Sequence, residues 1–276
     1  MEHLTHTCKS CGNTFTGNFC NQCGEKVHHA SDRSFKRFAE TIFKAITFAD
    51  SKFIKTLWLV LSKPGFLTKE FVEGKRVKYL KPLSLFLVLN LTYFFFPVIQ
   101  LFNASLNTQL RSSSVLLFLR HLYSNVVASK ASHMGVDLAA FSLIYNLKTV
   151  GLAKLMVMVF VVIASLPLNL LYFKRNRFFT DHIDFMVELA CFNLLVNAIV
   201  LSIVTAFTGL GNYLNETSLT VIFILTNLYF LIRSSAQFYN EKGWRLIVKS
   251  MVMILFLKVA LELYRSILFF VTIWSL

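Results

Sequence analysis

Residues 151–173 read GLAKLMVMVFVVIASLPLNLLYF, a run broken by a single charge, Lys154, close to its start. A helix needs about 20 predominantly apolar residues to cross roughly 30 Å of hydrocarbon, and this run is long enough. Lys174, Arg175 and Arg177 follow at once. Cations beside an apolar helix mark its cytosolic end, so the run also carries an orientation. Further apolar runs lie to either side, at 83–102, 185–208, 219–238 and 248–274. Together they predict an all-α polytopic membrane protein of about five transmembrane helices, a bundle over residues 83–276.

Composition agrees. Hydrophobic residues make up 55% of the 276 and charged residues only 15%, with 29 phenylalanines and a mean hydropathy of +0.59. A soluble domain carries about 25% charged residues. The net charge of +14 suggests nucleic acid until its distribution is examined: half of the 28 Lys and Arg residues precede residue 82, ahead of the first apolar run. Such an excess beside membrane helices faces the cytosol and anionic lipid headgroups, which disfavours nucleic acid as the partner.

Loop charges orient the rest. Arg233, Lys242, Arg245 and Lys249 surround the fourth loop, whereas the third, Gly209 to Ser218, holds neither Lys nor Arg. Both basic loops then share the cytosolic side with the N-terminus, and an odd number of spans leaves the C-terminus outside. Within the long first loop, 115–127 is apolar but interrupted by Arg120-His121. It is short for a span and reads as an interfacial or re-entrant helix.

At the other end stands Cys8-x2-Cys11-x8-Cys20-x2-Cys23, each pair followed by a glycine, Gly12 or Gly24. Four thiolates complete a tetrahedral set for structural zinc, leaving no position open for chemistry. Residues 1–27 therefore read as a zinc ribbon that needs its metal to fold and a reducing compartment to keep it. His3, His6, His28 and His29 read as solvated flanks, and Cys191 as a buried apolar side chain. Residues 28–82 form a basic juxtamembrane region. In it Phe35, Phe38, Ile42, Ile46, Ala49, Phe53, Leu57 and Val60 recur at helical spacing opposite Lys36, Arg37, Lys44 and Lys55. That pattern predicts a basic amphipathic helix in the membrane interface, ended by Pro64-Gly65.

The block Thr56-Leu57, Lys63-Pro64-Gly65, Phe71-Val72-Glu73-Gly74-Lys75-Arg76-Val77-Lys78-Tyr79 and Pro82, running into Tyr93-Phe94-Phe95, resembles a bacterial membrane family catalogued as domain of unknown function 3667, common in Bacteroidetes. Asp181-His182, Gln237-Phe238-Tyr239 and Tyr264-Arg265 extend the likeness. The resemblance implies an N-terminal double-CxxC ribbon and a multi-pass protein of the bacterial inner membrane, with the N-terminus cytosolic and the C-terminus periplasmic. It implies no activity.

Two sets of residues are candidates for function besides the cysteines. Lys75, Arg76, Lys78, Tyr79 and Lys81, just before the first span, could grip anionic headgroups or a partner, or serve only as a topology signal. Lys258, Glu262 and Arg265 fall on one face of the last run, and charges there are expected to face the bundle or a wet cavity. Asp181, His182, Asp184 and Glu188 gather at the mouth of the third run, where acidic side chains suit a helix N-terminus. His182, Asp184 and Glu188 join the last-run charges as a candidate intramembrane polar site.

No nucleophile elbow, zinc-protease motif or nucleotide loop is present. Three functions remain open. The first is a non-enzymatic adaptor whose ribbon recruits a cytosolic protein. The second is a transporter or lipid-handling protein using Lys258, Glu262 and Arg265. The third is a membrane enzyme acting on lipid or envelope precursors.

Overall fold

The computed structural model describes residues 5–8, 11–17, 19–22, 52–75, 78–96, 99, 101–112, 117–209 and 216–276. They fall into two compact units, Met1–Lys52 and Phe53–Leu276. The first is built on a β-hairpin of β1 (Thr5–Thr7) and β2 (Thr14–Thr16), antiparallel with His6 opposite Phe15. Among its described residues the core is Cys8, Phe15 and Cys20.

The second unit is helical. A helix across 52–62 (α1) turns at Lys63-Pro64-Gly65 into α2 (Phe66–Val72), and α3 follows at Pro82–Phe95. Pro82 occupies the first turn of α3, where a missing N–H costs no hydrogen bond. Then come α4 (Leu106–Ser112), α5 (Leu117–Met134), α6 (Leu138–Leu171), α7 (Phe179–Asn193), a π-helical stretch (Leu194–Val200), α8 (Leu201–Thr208), α9 (Glu216–Phe238) and α10 (Trp244–Ser275). Asp137 starts α6 by accepting the Ala140 amide at 2.9 Å.

Among the described residues three helices are long and apolar enough to cross a membrane: Leu138–Leu171, Phe179–Thr208 and Thr217–Phe238. The two remaining expected spans are different objects. The run 83–102 forms only the 14-residue helix Pro82–Phe95. The run 248–274 lies inside a 32-residue helix that carries Lys249, Lys258, Glu262 and Arg265. Boundaries move as well, because helices continue past the apolar windows: α6 begins at Leu138 rather than 151, and α7 at Phe179 rather than 185.

Two further expectations are corrected by packing. The end of the predicted interfacial helix packs one face on protein while Ile54 and Trp58 stay exposed. Thr56 and Val60 of α1 and Leu67 and Thr68 of α2 are all buried, so the hairpin is part of the bundle core, while residues 34–51 lie outside the described residues. From Leu117 on, the apolar 115–127 stretch belongs to α5, whose Tyr123, Val127 and Ala131 pack with Phe141, Tyr145, Phe269 and Ile273; residues 115 and 116 lie outside the described residues. At about 1.5 Å per residue, the 34 residues of α6 reach about 51 Å. That exceeds the hydrocarbon thickness of about 30 Å, and the surplus is the part that meets α4 and α5.

Candidate functional site

In the N-terminal unit, ligand atoms of Cys8, Cys11 and Cys20 lie within 4.8 Å of one another. The Cys11 and Cys20 sulfurs are 3.6 Å apart. Tetrahedral zinc with Zn–S bonds of about 2.3 Å places its sulfurs about 3.8 Å apart, whereas a disulfide closes to about 2.0 Å. The separation fits two thiolates sharing a metal. Local backbone prepares it: Gly12 takes a φ of 74° and returns its amide to the Cys8 carbonyl. A structural zinc would be held by these three residues; Cys23, the expected fourth ligand, lies outside the described residues.

The helical unit concentrates its polar chemistry where α2, α7 and α9 meet. Glu188 on α7 is fully buried. One carboxylate oxygen accepts the Gly65 amide at 2.8 Å, and the other accepts the Thr68 amide at 2.7 Å and the Thr68 hydroxyl. These amides open α2, whose own N-cap residue has no side chain to offer. Glu188 therefore caps a helix from another part of the chain, placing a negative group at the positive end of its dipole. Gly65 is fitted to this approach by a φ of 82°. A Cβ there would lie 2.7–2.8 Å from the Ser234 Cα, Cβ and carbonyl oxygen of α9.

His182, one turn and a half earlier, is also buried, and its Nδ1 lies 2.7 Å from the Tyr239 hydroxyl. Tyr239 stacks on Tyr172 with centroids 3.7 Å apart. The Tyr172 ring in turn carries the Lys249 ammonium at 4.6 Å. Glu241 ties this end together, accepting from Arg175 at 2.8 Å and Lys249 at 3.2 Å. Burial pushes the Glu241 carboxyl up, but hydrogen bonds and charge from Arg175 and Lys249 outweigh it and hold the group below its usual range. Arg177 stacks over Phe238, 4.7 Å from the ring centroid. Asp181 accepts the Phe178 amide at 3.1 Å. Asp184 contributes its backbone carbonyl to the Thr68 hydroxyl.

The last-helix charges do not join this cluster. Lys258 is exposed on the outer face of α10. Arg265 donates to the Asn103 carbonyl at 3.3 Å and stands 3.9 Å from Glu262. Nearby, Lys154 is buried and donates to the Phe94 carbonyl at 2.9 Å, closing the last turn of α3. Tyr264, between Glu262 and Arg265, donates to the Ala153 carbonyl next to Lys154, which puts this pair near the end of α3. The juxtamembrane set is also divided. Tyr79 is buried against Phe66, and Lys75 pairs with Glu70 at 2.7 Å and Glu73 at 3.1 Å. Lys78 and Lys81 are exposed, and Arg76 lies outside the described residues.

One cluster was not expected from the sequence. Asn193 and Asn227 exchange amide hydrogen bonds at 2.9 Å in both directions, and Asn197 donates to Asn193 at 2.7 Å and to Thr226 at 3.0 Å. All three asparagines are buried between α9 and the π-helical stretch. The available signal was Asn193 and Asn197 at i, i+4 in an otherwise apolar run.

Residues 50–94 match a family model described as a protein of unknown function (DUF3667). No curated protein and no solved structure matches the chain. The matched segment runs from just before α1 to near the end of α3 and includes Gly65 and Thr68, the two donors to Glu188.

Proposed function

We propose that this protein is a non-enzymatic scaffold of the bacterial inner membrane, whose N-terminal cysteine unit binds structural zinc and recruits a soluble cytosolic protein. The observation that carries the reading is the use made of Glu188. A carboxylate spent on the amides of α2 holds two elements together and has little capacity left for a substrate. His182 and Glu241 are engaged in the same way, with Tyr239 and with Arg175 and Lys249.

In this reading five helices cross the bilayer. The three long apolar helices are joined by α3, which is short but led into by α2, and by α10, whose central charges are carried by its length. The loops at 173–178 and 239–243 meet through Arg175 and Glu241, and Lys174, Arg175, Arg177 and Lys242 within them, with Arg233, Arg245 and Lys249 on the adjoining helix ends, are the cations expected on the cytosolic side. Exposed Lys78 and Lys81 add to that positive face and favour anionic lipid.

A second reading, transport or lipid handling, draws on the Asn193–Asn197–Asn227 cluster, because π-helical turns recur at functional sites. The two are separated by deleting residues 1–27 and identifying the soluble proteins captured from cells with the full and shortened chains. The scaffold loses its captured protein on truncation. An identical set from both chains refutes recruitment by the N-terminal unit.

A further inference from the structure

The basic segment ahead of α3 is not a uniform patch of charge. Lys75 is neutralised by Glu70 at 2.7 Å and Glu73 at 3.1 Å. Lys78 turns to an aromatic ring instead. Its ammonium lies 5.6 Å from the centroid of Tyr79, and the Lys55 ammonium of α1 lies 5.7 Å from the same centroid. Both lysines are exposed, and among the described residues no ion pair involves either. Two cations thus share one ring without a carboxylate on either.

The ring is a fixed platform. Tyr79 is buried and meets Phe66 edge to face, with centroids 5.8 Å apart. The neighbouring Leu80 amide donates to the Thr56 hydroxyl at 3.2 Å. Thr56 adjoins Lys55, and Leu80 adjoins Tyr79. This one bond therefore pins α1 to the link ahead of α3 and brings the two lysines to one place. A ring face attracts an exposed cation only weakly, and two ammonium groups drawn together repel. An anion between them removes the repulsion and accepts hydrogen bonds from both. Lysine heads stand on flexible four-carbon stems, so both can close on a single phosphate.

The surroundings say which phosphate. Pro82 opens α3 three residues beyond Tyr79, and Leu83, Leu87 and Val88 are exposed apolar side chains along its first turns. Trp58, one turn after Lys55 on α1, is 67% exposed. Tryptophan in such a place is a side chain of the membrane interface. Charge followed within a turn by an apolar helix face is the layout of a phospholipid. A soluble acidic partner would satisfy the lysines and leave Leu83, Leu87 and Val88 uncovered.

We propose that Lys55 and Lys78, set about Tyr79, bind the phosphate of an anionic glycerophospholipid in the cytosolic leaflet, with its acyl chains along the exposed face of α3. The site is narrower than a general attraction of the basic segment for lipid. Lys75 takes no part, and Lys55 joins from another helix. The inference rests on reading the start of α3 as the cytosolic boundary of the membrane.

The test is native mass spectrometry of the full chain in mild detergent, titrated with phosphatidylglycerol and, separately, with phosphatidylcholine. Wild type should hold phosphatidylglycerol in preference. Lys55→Gln and Lys78→Gln should each weaken it about fivefold, the effect of removing one cation near a lipid phosphate. Lys174→Gln, which removes an exposed cation from another loop, should weaken it less than about twofold by the same measure. Equal losses in all three variants, or equal binding of phosphatidylcholine, overturn the site. Glycerol 3-phosphate at the lipid's own concentration should leave the lipid bound; displacement at that concentration marks a site for soluble phosphate and overturns the lipid assignment. Should a glutamine variant fail to fold, the wild-type chain is placed in nanodiscs with a phosphatidylglycerol bearing a photoreactive headgroup. Most label is then expected on peptides containing Lys55 or Lys78, and label absent from both overturns the proposal. Alkaline extraction of membranes keeps the two claims apart. A wild-type chain that resists extraction but shows no preference for the anionic lipid fails the site alone. A chain that is extracted fails the membrane reading, and the site with it.

Discussion

The Glu188 carboxylate on α7 accepts the Gly65 amide at 2.8 Å across 123 positions of sequence. One buried acid thereby fixes the α1–α2 hairpin to the helices behind it. Glu188→Gln keeps the shape but turns one oxygen into a donor facing donors. It should cost about 1–3 kcal/mol, the penalty for leaving a buried hydrogen-bonding group unsatisfied. Glu188→Ala should cost more, since the opening amides of α2 lose every partner. Thermal unfolding in mild detergent checks both, and an unchanged midpoint for Glu188→Ala would contradict the capping role.

Gly65→Ala should be more disruptive than its size suggests. The added methyl meets backbone as well as side-chain atoms of Ser234 at 2.7–2.8 Å, and overpacking of this kind costs about 1–3 kcal/mol before the strain of a positive φ is added. Ser234→Gly should not rescue it, because the Ser234 Cα and carbonyl oxygen remain in place. Restored expression and melting in the double variant would show that the approach is looser than described.

Glu241 predicts a pH dependence with a definite sign. Its carboxyl is held below the ordinary value of 4.5 in the folded protein. Its contribution is therefore present above the unfolded pKa and is lost as pH falls through the lower folded value. Glu241→Gln should destabilise the protein at pH 7, and the gap to wild type should close as pH drops below about 4. A gap that is constant with pH, or widens in acid, would contradict the ion-pair assignment.

The asparagine cluster should matter modestly. Interhelical hydrogen bonds in membranes average about 0.6 kcal/mol and reach about 1.7. Asn227→Leu removes both bonds to Asn193 and should lower stability within about 1–3 kcal/mol by the same measure. A loss of a specific cellular activity with no loss of stability would instead favour the transport reading.

Much of the helical layout was legible in the sequence, and the reasons for the exceptions are physical. Apolar windows located α6 to α10 because hydrocarbon and protein interior select the same side chains. For that reason they could not tell a span from a packed helix at 115–127, where Tyr123 and Val127 meet Phe269 instead of lipid. Helix ends lie beyond the apolar windows because α6 and α10 continue through Lys148 and Arg245, charges at which a membrane span would stop but a helix need not. Glu188 was visible as an acid near the start of the third apolar run, but its partner was not. Nothing in local spacing connects it to Gly65 and Thr68, which arrive through tertiary packing. The contact of His182 with Tyr239 likewise joins segments 57 positions apart that no local spacing connects. The cysteine spacing was the most direct signal, since two CxxC pairs specify their chemistry locally.

The zinc assignment predicts one zinc ion per chain, and Cys20→Ser should abolish it, because Cys20 is buried at the centre of the cluster. Metal analysis of the purified protein decides this, and full zinc content in the Cys20→Ser chain would contradict the site.

Native mass spectrometry of the intact protein, released from mild detergent, tests the scaffold most directly. The account predicts a soluble protein bound in fixed proportion to the zinc-loaded chain and lost from the Cys20→Ser chain while membrane insertion is retained. A chain that carries no protein but holds a lipid or small molecule, released by Glu262→Gln, would contradict it.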